Sequence, residues 1–271
     1  MRPSARRRGV PIVRLASLLL LLLLLTGRAV PLAAQGPAAS VGEPPAIGAV
    51  FGEVPGDLWR FLSLDTAAVL GIGGIAAATA HEWDDELSDE VQTNTTFNAA
   101  MEPGHTYGAF SVQSVIGVGL YATGWFAKNG RLATVGADIM RVQILSQAYT
   151  QVIKYTAQRE RPDGSDHLSF PSGHSASAFA TALVLQRHYG WKVGVPATAA
   201  AAYVAMARVH DNHHHLSDVI FGAAMGAAAQ RTVMLRAGRY GFVLAPALGG
   251  GRVSVSAVVV PRSSFVRRGR L

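Results

Sequence analysis

The sequence contains no cysteine. That excludes disulfides, thiolate metal sites and a cysteine nucleophile, and leaves the compartment open. Charge is also scarce: Asp, Glu, Lys and Arg make up 15% of the 271 residues, little for a surface facing water. No basic run interleaved with aromatics occurs, so nucleic acid is not an expected partner. The formal net charge is nevertheless +7, which suits an anionic partner such as phosphate or an anionic membrane. Much of the excess sits at the two ends, in Arg2, Arg6, Arg7, Arg8 and Arg14 and in Arg262, Arg267, Arg268 and Arg270. No internal repeat is present.

What the chain has in quantity is apolar residues, 49%, with 29 glycines besides. Arg6 to Arg8 and Arg14 precede an apolar run at 15–25, and the small-residue stretch Pro31-Leu32-Ala33-Ala34-Gln35 follows. This is the layout of a secretory signal peptide over 1–34, cut near Ala34. The alternative is an uncleaved anchor, for which the run is short. Residues 35–60 are rich in Gly, Pro and Ala and read as a linker with little structure. Six apolar stretches of helical length then follow near 61–80, 108–127, 132–157, 174–188, 194–209 and 213–236, several dominated by strong helix formers. They predict an all-α six-helix bundle over 61–238. In the tail, 239–271, alternation at 253–258 after Gly249-Gly250-Gly251 predicts a small β-hairpin followed by a basic end. Asp138, Arg141, Gln143, Gln147 and Gln151 in the third stretch disfavour a lipid-facing span. Short basic connections alternating with the acidic segment 82–105 favour spans. The balance lies with a soluble or peripheral protein, with membrane association an open alternative.

Three short segments carry groups suited to chemistry. Lys154 and Arg161-Pro162 lie at the end of the third stretch. The proline pushes Arg161 out of the helix, so both cations can point at one anion, or simply complement a helix end. Pro171-Ser172-Gly173-His174 opens the fourth stretch. Ser172 is a good N-cap, Gly173 permits close backbone approach, and a helix N-terminus is a ready phosphate site. His174 in the first turn could donate a proton. Arg208, His214 and Asp218 surround the entry to the sixth stretch, with Asp211 or Asn212 as its cap. The i, i+4 spacing places His214 and Asp218 on one helix face, where a carboxylate can fix the imidazole tautomer. A competing reading is a zinc site in the cluster His210, Asp211, His213, His214, His215 and Asp218. Gly71-Ile72-Gly73-Gly74 lacks a following phosphate-loop lysine and reads as helix packing.

In their order and spacing, Lys154…Arg161-Pro162, Pro171-Ser172-Gly173-His174 and Arg208…His214…Asp218 resemble the tripartite signature of the type 2 phosphatidic acid phosphatase superfamily, which includes bacterial acid phosphatases and vanadium haloperoxidases. The resemblance implies the family's helical bundle and a metal-independent, cofactor-free hydrolysis of a phosphate ester, soluble or lipid. It implies that His214 attacks phosphorus, that Asp218 orients it, and that His174 serves as acid and then base. Lys154, Arg161, Ser172, the Gly173 N–H and Arg208 would hold the phosphate oxygens. Vanadate-dependent haloperoxidase chemistry is the alternative use of the same pocket. One position departs: Ala207 stands where the family usually has serine before the arginine of the third motif.

Overall fold

The computed structural model describes residues 43–93, 98–234, 240–249 and 252–261. The expected signal peptide and the basic end from 262 onward lie outside them. Among the described residues the helices are α1 (Ile47–Gly52), α2 (Val54–Phe61), α3 (Leu64–Ala80), α4 (Asp84–Thr93), α5 (Asn98–Tyr107), α6 (Phe110–Phe126), α7 (Gly130–Ala157), α8 (Gly173–Tyr189), α9 (Trp191–His210) and α10 (Leu216–Met234). A single 3-10 turn, His81–Trp83, links α3 to α4. The six long members, α3 and α6 to α10, match the six predicted stretches, so the all-α bundle is observed. Strands β1 (Tyr240–Gly249) and β2 (Arg252–Pro261) pair antiparallel from Tyr240↔Pro261 to Gly249↔Arg252.

Residues 47–61 are helical although their composition predicts a linker. The reason is tertiary. Val50 and Phe61 are buried, and Asp57, also buried, accepts from Arg141 Nε at 2.7 Å and Nη2 at 2.9 Å, while Arg60 on its own helix bonds it from the other side. Tyr149 adds a hydrogen bond to the Leu58 carbonyl at 2.7 Å. A two-pronged guanidinium–carboxylate pair taken out of water holds geometry strongly, and it fastens α2 to α7.

The centre of the bundle is α8. Every residue from Ser175 to Val184 is buried, which requires packing on all sides. One side meets Val135, Ile139, Val142 and Leu145 of α7 and Met225, Ala228 and Ala229 of α10. Another meets Ala201, Val204, Ala205 and Val209 of α9. The contact with α10 depends on absent side chains: a Cβ at Gly226 would lie 2.6 Å from the Ala176 carbonyl oxygen and 2.7 Å from the Ala180 nitrogen. Outward faces of α3, α6 and α9 are also apolar, with Ile72, Ile75, Val115, Val118, Trp191 and Val195 exposed. Among the described residues one continuous helical stretch, Leu64–Asp89, is long and apolar enough to cross a membrane.

Tight turns make the successive helices antiparallel. Gly190, at φ 77°, alone separates α8 from α9. The α6–α7 and α8–α9 turns share one end of the bundle, where the Arg131 guanidinium lies 4.8 Å from the Tyr189 ring centre. The C-termini of α7 and α9 and the N-termini of α8 and α10 therefore gather at the opposite end.

Gly226→Ala is expected to lower the melting temperature. Overpacking against backbone costs about 1–3 kcal/mol, more than the roughly 1 kcal/mol that alanine gains in helix propensity. A thermal melt at or above that of the unaltered protein would contradict the close contact.

Candidate active site

All three predicted segments meet at that end. α7 stops at Ala157, and Gln158 at φ 43° turns the chain out of the helix. Lys154, on the last turn, is 7% exposed and donates to the Leu168 and Ser169 carbonyls. Arg161, in the loop beyond, donates through Nε to Asp166 Oδ1 at 2.7 Å and through Nη1 to the His213 carbonyl at 3.0 Å. It thereby joins the first segment to the third.

Ser172 caps α8, accepting from the Ser175 N–H. Its own N–H donates to the Asp218 carbonyl at 3.0 Å, which joins the second segment to the third. This approach needs Gly222, where a Cβ would lie 2.4 Å from the Ser172 carbonyl oxygen. Gly173 and His174 form the first turn, so the free N–H groups of the helix start are at the site. Gln147 secures the turn by donating to the Gly173 carbonyl at 2.9 Å.

Arg208 lies on the last turn of α9 and is 2% exposed. The chain then turns through Asp211, which closes α9, and Asn212 at φ 54°. Here the structure corrects the sequence reading. α10 begins at Leu216, so His214 precedes the helix and does not share a helix face with Asp218. Neither Asp211 nor Asn212 caps α10. The cap is His215, whose N–H donates to Asp218 Oδ2 at 2.9 Å, as a carboxylate three residues into a helix does. His214 Nδ1 lies 3.8 Å from Asp218 Oδ2, too far for a hydrogen bond but within strong electrostatic reach.

The histidine cluster diverges. His213 Nδ1–H donates to the Asp211 carbonyl at 2.9 Å, and His215 serves as a cap through its backbone. Among the described residues no three His, Asp or Glu donors are arranged to hold a metal ion.

The site concentrates positive groups in a poorly solvated place. Burial, then neighbouring Arg161, lowers Lys154 to about 8. Burial lowers Arg208 to about 10, against the pull of Asp211. His174 falls to about 3 through burial and then Arg208 and His214. His214 falls to about 4, chiefly through burial, with Asp218 opposing. Burial alone would raise Asp218, but the His214 imidazole, Arg159 and Ser169 outweigh it and hold the carboxyl at about 2. The neighbouring cations disfavour one another, so the site is poised for an anion.

Two participants escape the sequence reading. His105, on α5, stacks on His174 with ring centres 5.4 Å apart, and its Nδ1 accepts from Arg208. A guanidinium only donates, so the His105 proton sits on Nε2. The polarity of 82–105 was the available signal. Arg159 donates to Asp218 Oδ1 at 2.7 Å; it is a third cation inside the Lys154–Arg161 interval and looks solvent-directed in sequence.

A free histidine takes up a proton near pH 6.5, whereas folded His214 waits until about 4. Between those values the unfolded chain binds a proton that the folded one refuses. Stability is thus full above pH 6.5 and falls as pH drops towards 4, by about 1.4 kcal/mol per pH unit for this group. His174, lowered to about 3, adds to the fall with the same sign, so urea unfolding at pH 7, 6 and 5 should show a loss steeper than one group gives, and His214→Gln should make it shallower by about one group's share; an unchanged slope in that variant would refute the buried, neutral imidazole.

The sequence pattern of the PAP2 superfamily matches residues 136–240, which contain all three segments. Over 76 residues the chain is 41% identical to a lipid A 1-phosphatase of Porphyromonas gingivalis, a match covering 27% of this chain and 17% of that protein. The fold resembles a crystal structure of a transmembrane PAP2 type phosphatidylglycerolphosphate phosphatase from Bacillus subtilis, with a TM-score of 0.53 and 24% identity over 62% of this chain and 93% of that one. The helical region that assembles around Asp218 is thus the part of the chain that is similar to the PAP2 superfamily.

Proposed function

We propose that this chain is an exported phosphate-ester hydrolase that works through a phosphohistidine on His214. The observation that carries the reading is the convergence of Lys154, Arg161, Arg208, the start of α8 and the buried His214 on one spot, from segments up to 60 residues apart in sequence. Nδ1 of His214 faces Asp218, which leaves Nε2 for attack. Its lone pair forms the P–N bond as the ester P–O bond breaks. The electron pair stays on the leaving oxygen, which takes the proton of His174. A water molecule then loses a proton to His174 and attacks phosphorus, the P–N bond breaks, and phosphate leaves.

His174 is neutral near pH 7, held down by burial and by Arg208. A phosphate dianion reverses the sign of its surroundings and raises its basicity, so substrate itself readies the acid. Lys154, Arg161 and Arg208 supply the charge that stabilises the equatorial oxygens, and no step calls for a metal. The apolar outer faces of α3, α6 and α9, together with the names of both relatives, support a lipid phosphate as substrate and a membrane-associated enzyme.

His214→Ala should abolish hydrolysis of para-nitrophenyl phosphate while helical circular dichroism is unchanged, and EDTA should leave the unaltered enzyme active. Full activity in that variant overturns the mechanism. Retention in the membrane fraction after a carbonate wash supports lipid phosphate as substrate; release supports a soluble ester.

A further inference from the structure

Asp218 has more partners than a histidine-orienting carboxylate requires. Oδ2, the oxygen facing His214, accepts from the Ser169 hydroxyl and the His215 N–H. Oδ1 accepts from Arg159 Nη1 at 2.7 Å. The other arm of that guanidinium, Nη2, donates to Asp84 Oδ2 at 2.8 Å. Asp84 begins α4, is 1% exposed, and also accepts from the Ser217 N–H at 2.9 Å and the Ser217 hydroxyl at 2.6 Å. The Ser217 oxygen in turn accepts from Arg159 Nη1 at 2.6 Å.

We propose that Arg159, held in place by Asp84, is a positioning residue that fixes the Asp218 carboxylate against His214, making His214, Asp218, Arg159 and Asp84 one four-membered chain. The inference rests on His214 being the nucleophile. Its physical basis is compensation. Two carboxylates, each almost without solvent, lie on either side of one guanidinium, and buried charges are tolerated only when paired and hydrogen-bonded. Arginine can meet both because its donors are spread over a rigid planar fork; the lysine ammonium is a point charge and cannot. With Oδ1 anchored by Arg159 and Oδ2 by Ser169 and His215, the carboxylate cannot rotate away from the imidazole. Arg159 touches no group assigned to phosphate, so its influence passes through Asp218.

A purely structural tie between the loop after α7 and the start of α4 would affect folding and leave the chemistry alone. The test therefore compares Arg159→Lys, Arg159→Ala, Asp218→Asn and the Arg159→Ala, Asp218→Asn double variant in steady-state hydrolysis of para-nitrophenyl phosphate, with thermal melts alongside. Arg159→Lys should lower kcat by about 10–100-fold, the range typical of residues that orient a reacting group from behind, with KM changed less than about twofold. The titratable and charged groups around Asp218 are His214, Arg159 and Lys154, with Asp84 beyond Arg159 and His81 against both of these. Removing Arg159 takes away a cation that holds the Asp218 carboxyl low, so the acid limb of kcat/KM should move to higher pH. The double variant should be no slower than Asp218→Asn alone.

A kcat for Arg159→Lys within about twofold of the unaltered enzyme, or independent losses that multiply in the double variant, would overturn the proposal. Should Arg159→Ala fail to fold, Asp84→Asn replaces it in the same comparison with Asp218→Asn. His214→Ala separates the two levels. An active His214→Ala enzyme overturns the phosphohistidine reading, whereas an inactive one beside a normal Arg159→Lys enzyme overturns this inference alone.

Discussion

The structure depends on the accommodation of one carboxylate. Asp218 has no solvent exposure, and a buried anion must be met by donors on every side. Those donors come from all parts of the site: Arg159 and Ser169 from the loop between α7 and α8, and His215 from the turn before α10. Its backbone carbonyl also accepts from Ser172 at the start of α8. Satisfying Asp218 therefore brings the three motif segments together, and the arrangement of the candidate site is a consequence of that satisfaction.

A second constraint acts in the opposite direction. Lys154, Arg208, His174 and His214 are all buried enough that each finds its charged form disfavoured, and each discourages its neighbours further. Backbone carbonyls take up part of this charge. Lys154 holds the Leu168 and Ser169 carbonyls, and Arg161 holds the His213 carbonyl. The result is a preorganised positive site at a helix N-terminus, an arrangement suited to binding an anion without reorganisation. Near the middle of α7, Asp57 with Arg60 and Arg141 solves a separate problem, seating α2 on α7.

Much of this was legible beforehand. The lengths of the six long helices follow from apolar runs punctuated by Gly, Pro and Asn, and capping by Ser172 follows from residue type alone. The convergence of Lys154, Arg161, Ser172, Gly173, His174, Arg208, His214 and Asp218 could be anticipated from motif order. Three readings failed for one shared reason. The helicity of 47–61, the position of His214 ahead of α10 and the cap supplied by His215 are each decided by partners distant in sequence or by a side chain folding back. Periodicity does not record such contacts. Ala207 is explained in the same way. It is fully buried, and a Cβ on Gly104 of α5 would lie 2.6 Å from its own Cβ, so the helix that carries His105 packs directly on the smallest side chain with a Cβ.

The sequence by itself determined the helices, their order and the residue types of the pocket, because propensity, capping and motif spacing are local properties. Only the tertiary structure decided which polar groups around those residues complete the site. Arg159, Asp84 and His105 carry no local signature. They acquire their roles when burial removes water and obliges each charge to find a partner in another part of the chain.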